Sequence, residues 1–97
     1  MQATGFTRIT ADRIINEGAT LFYGVIIEAS ADGGDVSIYE GMDALSGRLF
    51  STLKALANDR EIGAPGSPVF FDRGLFVDVG TNVTAVTVLW VPVPSDG

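Results

Sequence analysis

The chain has 97 residues, with 6 basic and 12 acidic side chains, no histidine and no cysteine, for a net charge of −6. That length supports one core and one domain. The two missing residue types exclude disulfides, thiolate nucleophiles, histidine or cysteine zinc sites and imidazole general bases. Acidity also opposes nucleic-acid binding, because such affinity comes from Lys and Arg neutralising phosphates. Arg8, Arg13, Arg48, Lys54, Arg60 and Arg73 are scattered along the chain and form no basic stripe.

Hydrophobic residues make up 46% of the chain and charged residues only 19%. A small domain with so little polar material leaves apolar surface uncovered, which predicts that part of it meets a partner. The opening Met1-Gln2-Ala3-Thr4-Gly5 lacks a basic region followed by an apolar run, so no signal peptide is expected. No stretch approaches the roughly 18–20 apolar residues needed to span a bilayer. The expectation is a soluble protein made in a cytoplasm, with no membrane partner.

In chain order, residues 1–5 read as a short N-terminal arm, and Phe6 to Ile15 as a first strand with Ile9 alternating against Thr7 and Arg8. Residues 19–29 form a second, with Leu21, Tyr23, Val25 and Ile27 on one face and Phe22, Gly24, Ile26 and Glu28 on the other. Ser30 to Asp35 carries Asp-Gly and Gly-Gly, which supply the positive φ of tight turns. Val36 to Glu40 then alternates back, so 19–29 and 35–40 read as a hairpin. Glu40 to Gly47 is a loop.

Residues 48–57 fit two periods. Leu49, Leu53 and Leu56 with Ala57 make a helical stripe, while Leu49, Ser51, Leu53 and Ala55 alternate as a strand. The surrounding β pattern favours the strand. Residues 58–68 hold Gly63, Pro65, Gly66 and Pro68 and read as an exposed loop. Val69-Phe70-Phe71 and Leu75 to Val79 flank Asp72-Arg73-Gly74 as a second hairpin. After the turn at Gly80-Thr81-Asn82, residues 83–91 are β-branched or aromatic almost throughout and apolar on both faces. Seven or eight short strands follow from this pattern. The fold class is all-β: a small antiparallel β-sandwich, jelly-roll-like, in a single domain spanning 1–97.

Carboxylates are the only side chains left for acid–base chemistry. Asp72 and Asp78 bracket the second hairpin, and Asp32 and Asp35 the first. Paired carboxylates can divide acid and base roles at about 5–10 Å, but aspartate at a turn is already accounted for by its bonds to backbone amides. Asp32-Gly33-Gly34-Asp35 lacks the alternating oxygen ligands and closing glutamate of a calcium loop, and Asn82-Val83-Thr84 is a chance glycosylation match without a secretory leader. No catalytic residue, metal ligand or cofactor is expected, and the chain reads as a non-enzyme.

The aromatic residues carry the functional signal. Phe70 adjoins Phe71 and Leu75 adjoins Phe76, and neighbours in a strand point to opposite faces, so one core cannot take them all. A second buried surface follows. Phe70, Phe76, Leu89 and Trp90 are the candidate interface residues, in the strands at 69–79 and 83–91.

The segments Val36-Ser37-Ile38-Tyr39-Glu40-Gly41, Ser46-Gly47-Arg48-Leu49, Val69 to Val77 and the closing Val86-Thr87-Val88-Leu89-Trp90 together resemble small virion proteins of tailed bacteriophages. The resemblance spans about residues 19–91 and consists of turn and strand motifs. It implies a structural role on a particle, foremost a head-decoration or cement protein, with the major capsid protein or another virion protein as partner. Trimers or other homo-oligomers, a reaching N-terminal arm and residence in the virion after synthesis in the host cytoplasm are also implied. A tail or fibre component is the alternative within the virion. Outside it stands a carbohydrate- or receptor-binding sandwich using exposed aromatics and residues 58–68. A carboxylate hydrolase is the weakest reading.

Overall fold

Nine strands build two antiparallel sheets in a computed structural model that describes residues 5–30, 33–55 and 60–93. They are β1 (Gly5–Ile9), β2 (Arg13–Asn16), β3 (Thr20–Ala29), β4 (Gly34–Glu40), β5 (Arg48–Ala55), β6 (Arg60–Gly63), β7 (Val69–Phe71), β8 (Leu75–Val79) and β9 (Val83–Pro92). One sheet runs β1-β9-β3-β6, with β7 sharing the β3 edge beside β6; the other runs β2-β8-β4-β5. Their inner faces pack Ile9, Phe22, Val25, Ile27, Val86, Val88 and Phe71 against Val36, Ile38, Leu75, Val77 and Ala55. The expected all-β sandwich is the fold.

Its connections differ from the expected hairpins. β3 belongs to the five-stranded sheet and β4 to the four-stranded one, so the turn at 30–35 is an arch between layers. The same holds for β7 and β8 around Asp72-Arg73-Gly74, and for β8 and β9 around Gly80-Thr81-Asn82. Turn residues specify a reversal, which can close a ladder or cross a sandwich. The core decides here, because Phe71 and Leu75 are both fully covered and face it from opposite layers. Among the described residues, only β4 and β5 are consecutive strands paired as a hairpin, around the 41–47 loop.

The single strand expected over 6–15 is two strands, one per sheet. The loop expected over 58–68 contains β6, which pairs with β3 from Val25↔Gly63 to Glu28↔Arg60. Residues 48–55 of the ambiguous stretch are strand, in register with β4. Leu56 and Ala57 lie outside the described residues, as do Met1 to Thr4 of the expected arm; Gly5 opens β1.

A β-bulge resets the faces of β3. Phe22 pairs with Trp90 and Gly24 with Leu89, so Tyr23 is an extra residue. Phe22 consequently joins Val25 and Ile27 in the core, a combination that strict alternation forbids. Glycine is required at the bulge: Gly24 has φ +152°, and a Cβ there would lie 2.7 Å from the Gly63 carbonyl oxygen.

Candidate interaction surface

Registers sort each strand residue to the inside or the outside of the sandwich. On β9, Val86 and Val88 are core and Trp90 packs beside them, which leaves Ala85, Thr87, Leu89 and Val91 outside. Leu89 stands opposite Phe6 of β1, Thr87 opposite Ile26 of β3, and Val91 opposite Leu21. Ile26 in turn stands opposite Ile62 of β6, and Leu21 opposite Phe70 of β7. Two cross-strand rows on the outside of the five-stranded sheet, Phe6–Leu89 and Val91–Leu21–Phe70, are therefore apolar, and between them Ile26 and Ile62 continue a row that starts at Arg8 and Thr87. Phe6 is 72% exposed, Ile62 65% and Phe70 54%. Among the described side chains of this face, Arg8 and Glu28 form its ion pair, at 3.7 Å.

The outside of the four-stranded sheet is built differently. Phe76 pairs in register with Ile14 of β2 and Tyr39 of β4, and Tyr39 with Leu49 of β5, which gives one apolar row. The Phe76 and Tyr39 rings sit 6.2 Å apart, and both are half-buried. The next row is polar: Ser37 and Thr52 share a 2.9 Å hydrogen bond between hydroxyls, and Asp78 lies beyond Ser37.

The four residues singled out from sequence do not share one surface. Phe70 and Leu89 lie on the outside of the five-stranded sheet, and Phe76 on the outside of the other. Trp90 faces inward against the core, and its indole N–H donates to Thr7 Oγ1 at 3.0 Å. Sequence reasoning did not single out Phe6 and Ile62. Ile62 lay in a segment dominated by Gly and Pro, and only its pairing with Ile26 gives it a face.

Phe50 closes the open side of the sandwich. It is the extra residue of a second bulge, since Ile38 pairs with Ser51 and Tyr39 with Leu49. Its ring lies 5.9 Å from Phe22 and 5.3 Å from Phe71, and 41% of the residue stays exposed. A hollow of about 230 Å³ lies beside it, lined by Ser51, Leu53, Gly63, Ala64 and Pro65.

Charged groups gather at the two ends of the four-stranded sheet. At one end Glu40 Oε2 accepts from the Asp72 backbone N–H at 2.7 Å, and Oε1 from Arg48 at 2.6 Å. The Asp72 amide first, then Arg48, hold the Glu40 carboxyl below its ordinary value against the opposing effect of burial. These residues line a polar hollow of about 450 Å³ with Gly41, Met42, Ser46 and Arg73. Both carboxylate oxygens of Glu40 are already engaged, so its role there is to tie the end of β4 to the β7–β8 turn. In the adjoining loop Asp43 Oδ1 accepts from the Ser46 amide at 2.7 Å and its hydroxyl at 2.8 Å, which lowers the Asp43 pKa.

At the other end Asp12 Oδ1 accepts from the Val79 amide at 2.8 Å. Asp78 is raised above its ordinary value, by burial first and then by the charge and hydrogen bond of Asp12 and the charge of Asp35. Asp72, whose backbone N–H bonds Glu40, precedes β8 and Asp78 lies near the far end of that strand, so the two carboxylates expected to bracket the second hairpin are not brought together; Asp32 lies outside the described residues. Among the described residues, no group of three or more Asp, Glu, His or Cys side chains is placed to hold a metal ion. No helix among the described residues is long and apolar enough to cross a membrane.

The chain matches no protein-family model, no curated protein and no solved structure.

Proposed function

We propose that this chain is a non-enzymatic packing module, and specifically a small structural protein of a tailed-bacteriophage virion that decorates and stabilises the capsid lattice. One observation carries the packing part of the reading. The outside of the five-stranded sheet presents two apolar rows and the apolar half of a third, with Phe6, Ile62 and Phe70 each more than half exposed. A soluble monomer rarely leaves so continuous an apolar face open to water. The virion part rests on the Tyr39-Glu40-Gly41, Ser46-Gly47 and Phe71-Asp72-Arg73-Gly74-Leu75-Phe76 motifs. They fall at the β4–β5 loop and the β7–β8 arch, where Glu40 joins the two.

Each contact on a particle would stabilise the lattice by about 25 cal/mol per Å² of apolar area removed from water, less the cost of association. Co-sedimentation with empty capsids of a tailed bacteriophage lacking their own decoration protein tests the reading. Saturable binding at a fixed ratio to the capsid subunit is expected. A chain that stays in the supernatant at every concentration, yet is retained on immobilised glycans, would overturn it in favour of carbohydrate recognition.

A further inference from the structure

We infer that the apolar outside of the five-stranded sheet is covered by a second copy of this chain, stacked sheet against sheet about a two-fold axis. The inference rests on reading that face as a packing surface and names its occupant; it does not require a particle.

Three features of the face point to a second copy. The first is shape: β3 and β9 supply two ten-residue strands, flanked by β1 on one edge and by β6 and β7 on the other. Such a face can stack on another sheet at about 10 Å with strands within about 30° of parallel. The most exposed side chains stand at opposite edges, Phe6 on β1 and Ile62 and Phe70 on β6 and β7. A two-fold axis along the strands lays each β1 edge over the other copy's β6–β7 edge. Phe6 then meets Ile62 and Phe70 twice, as an isologous contact demands.

The second feature is charge. The chain carries −6, yet the described charged side chains of this face, Arg8 and Glu28, offset one another. The described side chains of this patch thus add no net charge to oppose the approach of a second acidic copy. A cationic partner would instead seek the acidic end at Asp12, Asp35 and Asp78.

The third is area. Each strand residue covers roughly 3.3 by 4.8 Å of sheet. The 32 residues of β1, β3, β6, β7 and β9 (5, 10, 4, 3 and 10) thus give a footprint of about 500 Å² per copy, or about 1,000 Å² in all. That is the lower bound for a specific interface, before side-chain relief is counted. It sets the expected strength as a reversible dimer with a Kd in roughly the micromolar range.

Sedimentation velocity from about 5 to about 500 µM tests this range. The weight-average mass should climb from the 10.2 kDa of one chain toward twice that and level off. Ile62→Ser and Phe70→Ser should each raise the Kd about tenfold or more, since each is a large exposed side chain that the two-fold axis uses twice. Phe76→Ser, on the outside of the other sheet, should leave it within about twofold. Added salt should tighten the dimer by screening the two −6 chains from each other. All three residues are exposed or half-exposed, and far-UV circular dichroism with a thermal melt verifies that each variant folds. Phe6→Ser serves in place of either anchor variant that does not.

A chain that remains monomeric to the highest concentration overturns the inference. So does a mass levelling at three chains, or an association lost in Phe76→Ser and kept in Phe70→Ser. Particle binding is read separately. Capsid co-sedimentation by a strictly monomeric chain sinks the dimer alone, and a dimer that ignores capsids sinks the virion reading alone.

Discussion

The two outer faces of the sandwich are made by the same strand grammar and end up with opposite relations to water. On the five-stranded sheet, the outward residues Phe6, Leu21, Ile26, Ile62, Phe70, Leu89 and Val91 form contiguous apolar rows. On the four-stranded sheet, one apolar row through Ile14, Phe76, Tyr39 and Leu49 is followed by the hydrogen-bonded Ser37 and Thr52. The second face carries less apolar relief: its aromatic pair is half-buried, Leu49 is 54% exposed at the edge of that row, and the next row holds bonded polar groups. The first has Thr87 and one ion pair, Arg8 with Glu28, as the described polar side chains on its three rows and the next. Apolar content distributed along the sequence thus says less than apolar content sorted by register: the surplus lies on one face.

The largest expected effect separates inside from outside on the five-stranded sheet. Phe22→Ala empties a fully covered position that touches both Phe50 and Phe71, and should cost about 3–5 kcal/mol in urea unfolding. Phe70→Ala, on the exposed face, should cost less than about 0.5 kcal/mol when measured below the association range. Equal losses would mean that Phe70 is buried in the folded monomer and that the face is not open.

Next comes the bulge that sets which residues of β3 face in. Gly24→Val places a Cβ 2.7 Å from the Gly63 carbonyl oxygen and strains a φ of +152°. A loss of about 2–4 kcal/mol is expected. Hydrogen exchange should show faster opening at β6, whose Gly63 is the residue pushed aside. A variant as stable as the parent would show that the bulge does not control the register.

A smaller effect belongs to the other face. Phe76 and Tyr39 form a tilted aromatic pair in register, so a double-mutant cycle to alanine should give a coupling of about 0.5–1.5 kcal/mol. The same cycle on Phe70 and Leu21, in register on the open face, should give less at concentrations where the chain is monomeric. A stronger coupling for Phe70 and Leu21 would reverse the comparison.

Most strands were legible in the sequence, because β-branched runs such as residues 83–91 and the Gly, Asp and Pro between runs are local signals. The pairing was not. Ser30 to Asp35 carries strong hairpin chemistry, yet β3 and β4 lie in different layers, since a turn fixes only the reversal and the core fixes the partner. β3 shows a second limit: strict alternation separates Phe22 from Val25, and one inserted residue at Tyr23 unites them. Adjacency puts Phe70 and Phe71, and likewise Leu89 and Trp90, on opposite faces without saying which of each pair is outward; the inner set Phe71, Val86 and Val88 decides it, sending Phe70 and Leu89 out and Trp90 in. Ile62 carried no periodic signal of its own, standing in a four-residue strand between Gly- and Pro-rich turns.

The least energetic contrast runs along the four-stranded sheet, between its two charged ends, and pH separates them. Glu40 has its folded pKa held below 4.5, chiefly by the Asp72 amide and then by Arg48. The unfolded chain therefore takes up that proton first as the pH falls. Glu40's contribution to stability is complete above the unfolded value and is lost as the pH drops through the folded one. Asp78 has its pKa raised above 3.8 by burial and by the neighbouring Asp12 and Asp35, so the folded chain holds the proton more tightly. Its contribution is complete below 3.8 and is lost as the pH rises through the folded value. At neutral pH the charged Asp78 works against the fold. Asp78→Asn should therefore raise the melting temperature at neutral pH and lose that advantage in acid. Glu40→Gln should lower it at neutral pH, with the gap from the parent closing in acid. Melts taken from about pH 3 to about pH 8 read both curves at once. Two variants shifting in the same direction at neutral pH would show that the ends are electrostatically alike.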